Sequence, residues 1–150
     1  MIWFDSIVES KVSGDQIRRA ISAMTGDAYH DISIIRDILD LSEQPVTCLV
    51  QELPVGGFAQ QLTFYVEDRF SSVRSRLSID EAAQLLSMGL GVNVMIANDA
   101  SASPYAMILL DRKGGSTSVN VNSTLLDEQG IYRLDQGGFP SVPPVSETLP

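Results

Sequence analysis

Ser78–Ala97, SIDEAAQLLSMGLGVNVMIA, carries the strongest folding instruction in the chain. Ser78 and Glu81 stand at the S-x-x-E spacing of a capping box, in which each side chain satisfies an amide that the first helical turn leaves without a partner. Asp80 and Glu81 add negative charge at the positive end of the helix dipole. Ala82, Leu85 and Leu86 recur at i, i+3 and i+4 and predict one apolar stripe. Gly89 and Gly91 then let the backbone leave the helix. Val92, Val94 and Ile96 alternate with Asn93, Met95 and Ala97 at the period of a strand.

An earlier stretch echoes this unit. Ser13-Gly-Asp15-Gln16 opens a predicted helix, with Ser13 or Asp15 as its cap, whose apolar face is Ile17, Ala20, Ile21 and Met24, and Gly26 closes it. Pro45 precedes one apolar strand, Val46–Leu53, as Pro104 precedes another, Tyr105–Leu110. Gly56-Gly57 and Gly114-Gly115 each lead into a further strand, Gln60–Val66 in the first half and the Val119/Val121 alternation in the second. The order helix, strand, strand, strand would thus occur twice, over 13–66 and 78–135. A duplication of that α-β-β-β unit requires the halves to superpose strand for strand. The comparison also tips Asp31–Leu41 towards strand at Ile32–Ile35, although Ile34, Ile35, Ile38 and Leu39 fit helical spacing as well.

Outside the two units, Trp3/Ile7, Phe4/Val8 and Val8/Val12 are spaced i, i+4, which favours a short helix over 2–12; Ile2–Phe4 also fits the start of an edge strand. Glu67–Leu77, with Arg69, Arg74 and Arg76, reads as a polar connection, and Ile131–Leu134 as a last short strand. From Gly137 the chain loses periodicity and reads as a Pro/Gly-rich tail over 137–150. The expected fold is a single α+β domain over 1–136: a two-layer, largely antiparallel sheet of about six strands with two or three helices on one face.

The chain of 150 residues is long enough for a core without disulfide or metal support. Its formal charge of −9 argues against direct nucleic-acid binding, which needs clustered Lys and Arg, and suits a basic protein surface as partner. Cys48 is the only cysteine and falls in an apolar run, as a buried free thiol. The N-terminal residues have neither the basic nor the apolar region of a secretory signal, and no apolar run reaches the roughly 18 residues that span a bilayer. A cytoplasmic location, with no membrane partner, is the expectation.

Chemistry-bearing motifs are sparse. His30 lies between Asp27 and Asp31, but one histidine beside acids is ordinary surface more often than a metal site. Gly89-Leu-Gly91 follows a helix and precedes a strand, the reverse of a nucleotide-binding loop. Glu67, Asp68, Asp127 and Glu128 are formal candidates for catalysis by carboxylates alone, which would need a deep pocket with two convergent acids. No catalytic, cofactor or metal residue is assigned, and the expected reading is not an enzyme.

In size, acidity and lack of catalytic motifs the chain is similar to bacterial immunity proteins and phage counter-defence inhibitors, and also to small acidic secretion chaperones. Those chaperones close on a further helix, which this Pro-rich C-terminal segment does not offer. The expected function is therefore a protein that binds and neutralises a basic partner. Asp27, Asp31, Asp37 and Asp40, the densest acidic run, are the candidate contacts, with exposed apolar residues as anchors. A secretion chaperone or a self-associating structural subunit is the alternative, so a homo-oligomer is a possible state.

Overall fold

The computed structural model describes residues 2–26, 31–67 and 77–135. Seven strands form one mostly antiparallel sheet: β1 (Ile2–Val8), β2 (Ile32–Ile35), β3 (Val46–Glu52), β4 (Gln60–Val66), β5 (Val94–Ala97), β6 (Ala106–Leu110) and β7 (Ser116–Asn120). Their order across the sheet is β2-β3-β4-β1-β5-β6-β7. The α+β class is as the sequence predicts, with one strand more, because residues 2–8 are a strand and not a helix.

The reason lies in a bulge. Ile2 pairs with Tyr65 and Phe4 with Phe64, so Trp3 is an extra residue on β1. That insertion lets consecutive residues Trp3 and Phe4 both enter the core, which breaks strand alternation and imitates helical spacing. Their rings meet edge to face, with centroids 5.1 Å apart, and Phe4 lies 4.8 Å from Phe64.

Helices α1 (Gly14–Thr25) and α2 (Ile79–Leu90) pack against each other on one face of the sheet. Both start with complete capping boxes, Ser13 with Gln16 and Ser78 with Glu81, and both end on a glycine with positive φ, Gly26 and Gly91. Their buried residues, Ile17, Ile21, Ala82 and Leu86 among them, meet Val46, Cys48, Val50, Leu62, Phe64 and Val94 from the sheet. Two details differ from the sequence reading. Leu85 is exposed, and Ala83, Ser87 and Leu90 complete the buried stripe. Gly89 does not break the helix: it stays within α2, where a Cβ would stand 3.1 Å from that of Ala20.

A smaller core covers part of the opposite face. Ile7, Met95, Met107, Val119 and Val121 point there, under Phe58, Leu126 and Tyr132. Leu126 belongs to a short helix the sequence reading missed, α3 (Ser123–Gln129), capped by the Asn122 side chain and closed by Gly130. The helices are thus split, two on one face and α3 on the other. The strand expected at Ile131–Leu134 is a single bridge, Val121↔Leu134.

The two halves share their element order but not their strand directions. β2 runs parallel to β3, whereas β5 runs antiparallel to β6. The equivalence holds for the second and third strands and fails at the first, so the halves do not superpose strand for strand. β1 stands between them, hydrogen-bonded to β4 on one side and β5 on the other. Most of the Glu67–Leu77 connection and the 137–150 tail lie outside the described residues.

Candidate functional site

Two surface features converge on the end of the sheet where β1 begins. The first is the link between the parallel strands β2 and β3. A parallel pair usually needs a crossover of a dozen or more residues, often a helix; here residues 36–45 do the work with a single 3₁₀ turn, Ile38–Asp40. Asp37 caps it, its carboxylate accepting the Leu39 N–H at 2.9 Å. A turn this short cannot bury its own apolar side chains. Leu39 is 87 % exposed, Ile38 47 % and Leu41 44 %. Asp37, Asp40 and Glu43 are exposed around them. The cation of the link, Arg36, reaches away to Glu52 at 3.0 Å, which Lys11 also approaches at 3.3 Å. The result is an apolar cluster within an acidic surround, projecting from the edge strand. The far end of the link returns beside β4, where Leu41, Ser42 and Gln44 border Tyr65 and Glu67.

Of the four sequence-predicted contacts, Asp37 and Asp40 occupy this turn, while Asp31 precedes β2 and is half-buried. Asp27 and His30 lie outside the described residues. The apolar anchors were expected in kind but not by number, since Ile38 and Leu39 equally fitted a buried helix face.

The second feature is a split in the sheet. β1 starts at Ile2 and β5 continues to Ala97, yet their ladder holds only Ile7↔Met95 and Val8↔Val94. Beyond that point β1 stays with β4 as far as Ile2↔Tyr65, and β5 stays with β6 as far as Ala97↔Met107. The two strands diverge, and a cavity of about 330 Å³ opens between them. Phe4, Asp5 and Gln61 line one side, Ile96, Ala97 and Asp99 the other, with Met95, Met107 and Leu126 contributing apolar surface.

One carboxylate of the split is held by a neighbouring strand. Asp5 sits opposite Thr63 in the β1–β4 ladder, and the Thr63 hydroxyl donates to its carboxylate. Tyr132 faces the same cavity, and its phenol is held above its ordinary pKa, first by burial and then by the Asp5 charge. Among the described residues the cavity walls include two carboxylates and no Lys or Arg.

Of the acids put forward for carboxylate chemistry, Asp127 and Glu128 are neighbours on α3. Glu67 follows β4, with its N–H donating to the Pro45 carbonyl, while Asp127 on α3 accepts from the Tyr105 hydroxyl and Asp68 lies outside the described residues. Among the described residues no group of three or more His, Cys, Asp and Glu side chains is placed to hold a metal, and no helix is long and apolar enough to cross a membrane. Cys48 is fully buried in the main core, and burial pushes its thiol far above the ordinary range.

No protein-family model matches the chain. No curated protein and no solved structure matches it either.

Proposed function

We propose that this protein is an acidic protein-binding module that captures and neutralises a basic partner in the cytoplasm, in the manner of an immunity protein or counter-defence inhibitor. The observation that carries the reading is the Ile38–Leu41 cluster, three large aliphatic side chains held in water within a surround of Asp37, Asp40 and Glu43. Exposing Leu39 opposes the hydrophobic effect, and grouped exposed apolar residues with a polar rim are characteristic of interaction sites. The aliphatic side chains supply the water-excluding anchor, and the carboxylates steer the approach of a cationic surface.

Affinity capture from the native host, run in parallel with Leu39→Asp and with an Asp37→Lys/Asp40→Lys double variant, tests this. Wild type should retain a basic protein that both variants lose, and retention should fall with added salt. A partner held equally by all three proteins would place binding elsewhere and defeat the assignment.

A second reading, self-association as a structural subunit, draws on Leu85 and Met88, which are 41 % and 50 % exposed on α2. It requires a concentration-dependent oligomer in sedimentation that Leu85→Glu/Met88→Glu dissolves.

A further inference from the structure

We infer that the split between β1 and β5 is a strand-docking slot that takes an extended basic segment, pairing it with the exposed edge of β1 and seating a Lys or Arg side chain between Asp5 and Asp99. This rests on the proposed capture of a basic partner and names how that partner would be gripped.

The backbone argument starts above the split. The Glu9 N–H donates to the Asn93 carbonyl at 3.0 Å. Along an antiparallel strand the backbone groups of alternate residues turn to the same side, so those of Ile7 and Asp5 also face β5. For Ile7 the ladder supplies Met95. For Asp5 the equivalent position is Ala97, and there the ladder has ended and the cavity begins. An incoming strand would continue the pairing that β5 abandons, the mode in which main-chain hydrogen bonds give affinity and side-chain pockets give specificity.

The side-chain argument gives the sign of the occupant. Asp5 is presented in a fixed orientation by Thr63, and Asp99 stands across the cavity in the turn after β5. Two carboxylates and no Lys or Arg line the wall among the described residues, so a Lys or Arg brought by the ligand would meet a complementary charge. Met95, Met107 and Leu126 offer an apolar surface for its methylene stem. A volume of about 330 Å³ admits one long side chain and a short length of backbone, not a globular loop. The slot also lies near the acidic link, since Phe4 in its wall pairs with Phe64, the neighbour in β4 of Tyr65, which Leu41 and Gln44 border. One partner could engage both.

The test is an NMR titration of the isotope-labelled protein with a capped hexapeptide of alternating valine and arginine, and with the same peptide carrying glutamate in place of arginine. Saturable amide shifts should cluster at Asp5, Ser6, Ile96 and Ala97 with the arginine peptide alone. Asp99→Asn, and separately Ala97→Trp, which fills the slot from an exposed position, should each weaken binding at least tenfold. Leu39→Asp should leave peptide binding unchanged, which separates this slot from the link. Shifts confined to residues 36–43, shifts scattered over every acidic surface, equal binding of the glutamate peptide, or no binding would overturn the proposal.

Discussion

Gly89 of α2 lies so close to Ala20 of α1 that a Cβ added there would stand 3.1 Å from the Ala20 Cβ. The two helices approach through a position that carries only hydrogen. Replacing glycine in a helix interior with alanine gains about 0.5–1 kcal/mol of backbone entropy, while overpacking costs about 1–3 kcal/mol. For Gly89→Ala the terms nearly offset, and urea denaturation should place it within about 1 kcal/mol of wild type. Gly89→Leu cannot be accommodated by a shift of a few tenths of an ångström and should lose about 3 kcal/mol or more. A leucine variant as stable as wild type would mean that the helices are not held at this distance.

Gln60 is 2 % exposed and uses both ends of its amide, accepting from the Val12 N–H at 2.9 Å and donating to Glu52 at 2.9 Å. Gln60→Leu keeps the volume but leaves a buried N–H without its partner, which costs about 1–3 kcal/mol. The measurement is the urea midpoint at neutral pH. Amide exchange at Val12 should rise in step.

The same pair sets part of the acid response. The Gln60 hydrogen bond, followed by Lys11 and Arg36, holds Glu52 below the ordinary value of 4.5. Glu81 and Asp111 are lowered too, by hydrogen bonds from Ser78 and from the Gly115 and Lys113 amides respectively. A carboxylate with a depressed folded pKa stabilises fully above its unfolded value and loses that contribution as pH falls through the folded one. Stability should therefore decline with acidification below about pH 4.5, and Glu52→Gln should make that decline shallower. Equal slopes for variant and wild type would remove Glu52 from the account.

Phe58 N–H donates to the Tyr132 carbonyl at 2.8 Å, and a Cβ on Gly57 would overlap that same carbonyl. Gly57→Ala should lift residues 131–134 away from the smaller core. Hydrogen exchange should quicken at Phe58 and Asn122, with helix α1 unchanged, at a cost of about 1–3 kcal/mol.

Cys48 is buried with its thiol strongly disfavoured from ionising. Native protein should resist a thiol reagent, and labelling should follow the opening rate of the domain. Prompt stoichiometric labelling under native conditions would contradict the burial of Cys48 in the main core.

How much of this was legible in the chain depends on how local each signal is. Both main helices could be bounded from Ser13/Gln16 and Ser78/Glu81, because a capping box is a contact among four consecutive residues. β1 was misread because the Trp3 bulge replaces period two with two adjacent buried rings, and only the partner strand β4 reveals the extra residue. Helix α3 is seven residues long and has no fully buried side chain, too little for a periodic stripe. At the candidate site, Asp37 and Asp40 stood out by density, whereas the exposure of Leu39 follows from what fails to pack on it. The split is less legible still, since it depends on where two ladders stop.

The placement of β1 in the middle of the sheet carries a consequence for how the protein is made. A ribosome delivers Ile2–Val8 before the other six strands of this sheet, yet its neighbours are β4 and β5, and Val8 pairs with Gln60 and Val94. The flank against β4 cannot be completed until Val66 has emerged, nor the flank against β5 until Ala97, so β1 waits longest of the seven strands for its hydrogen bonds. Such non-local closure is slow and leaves an apolar strand unsheltered during synthesis. Shelter for β1 thus arrives in two stages, first from β4 and then from β5.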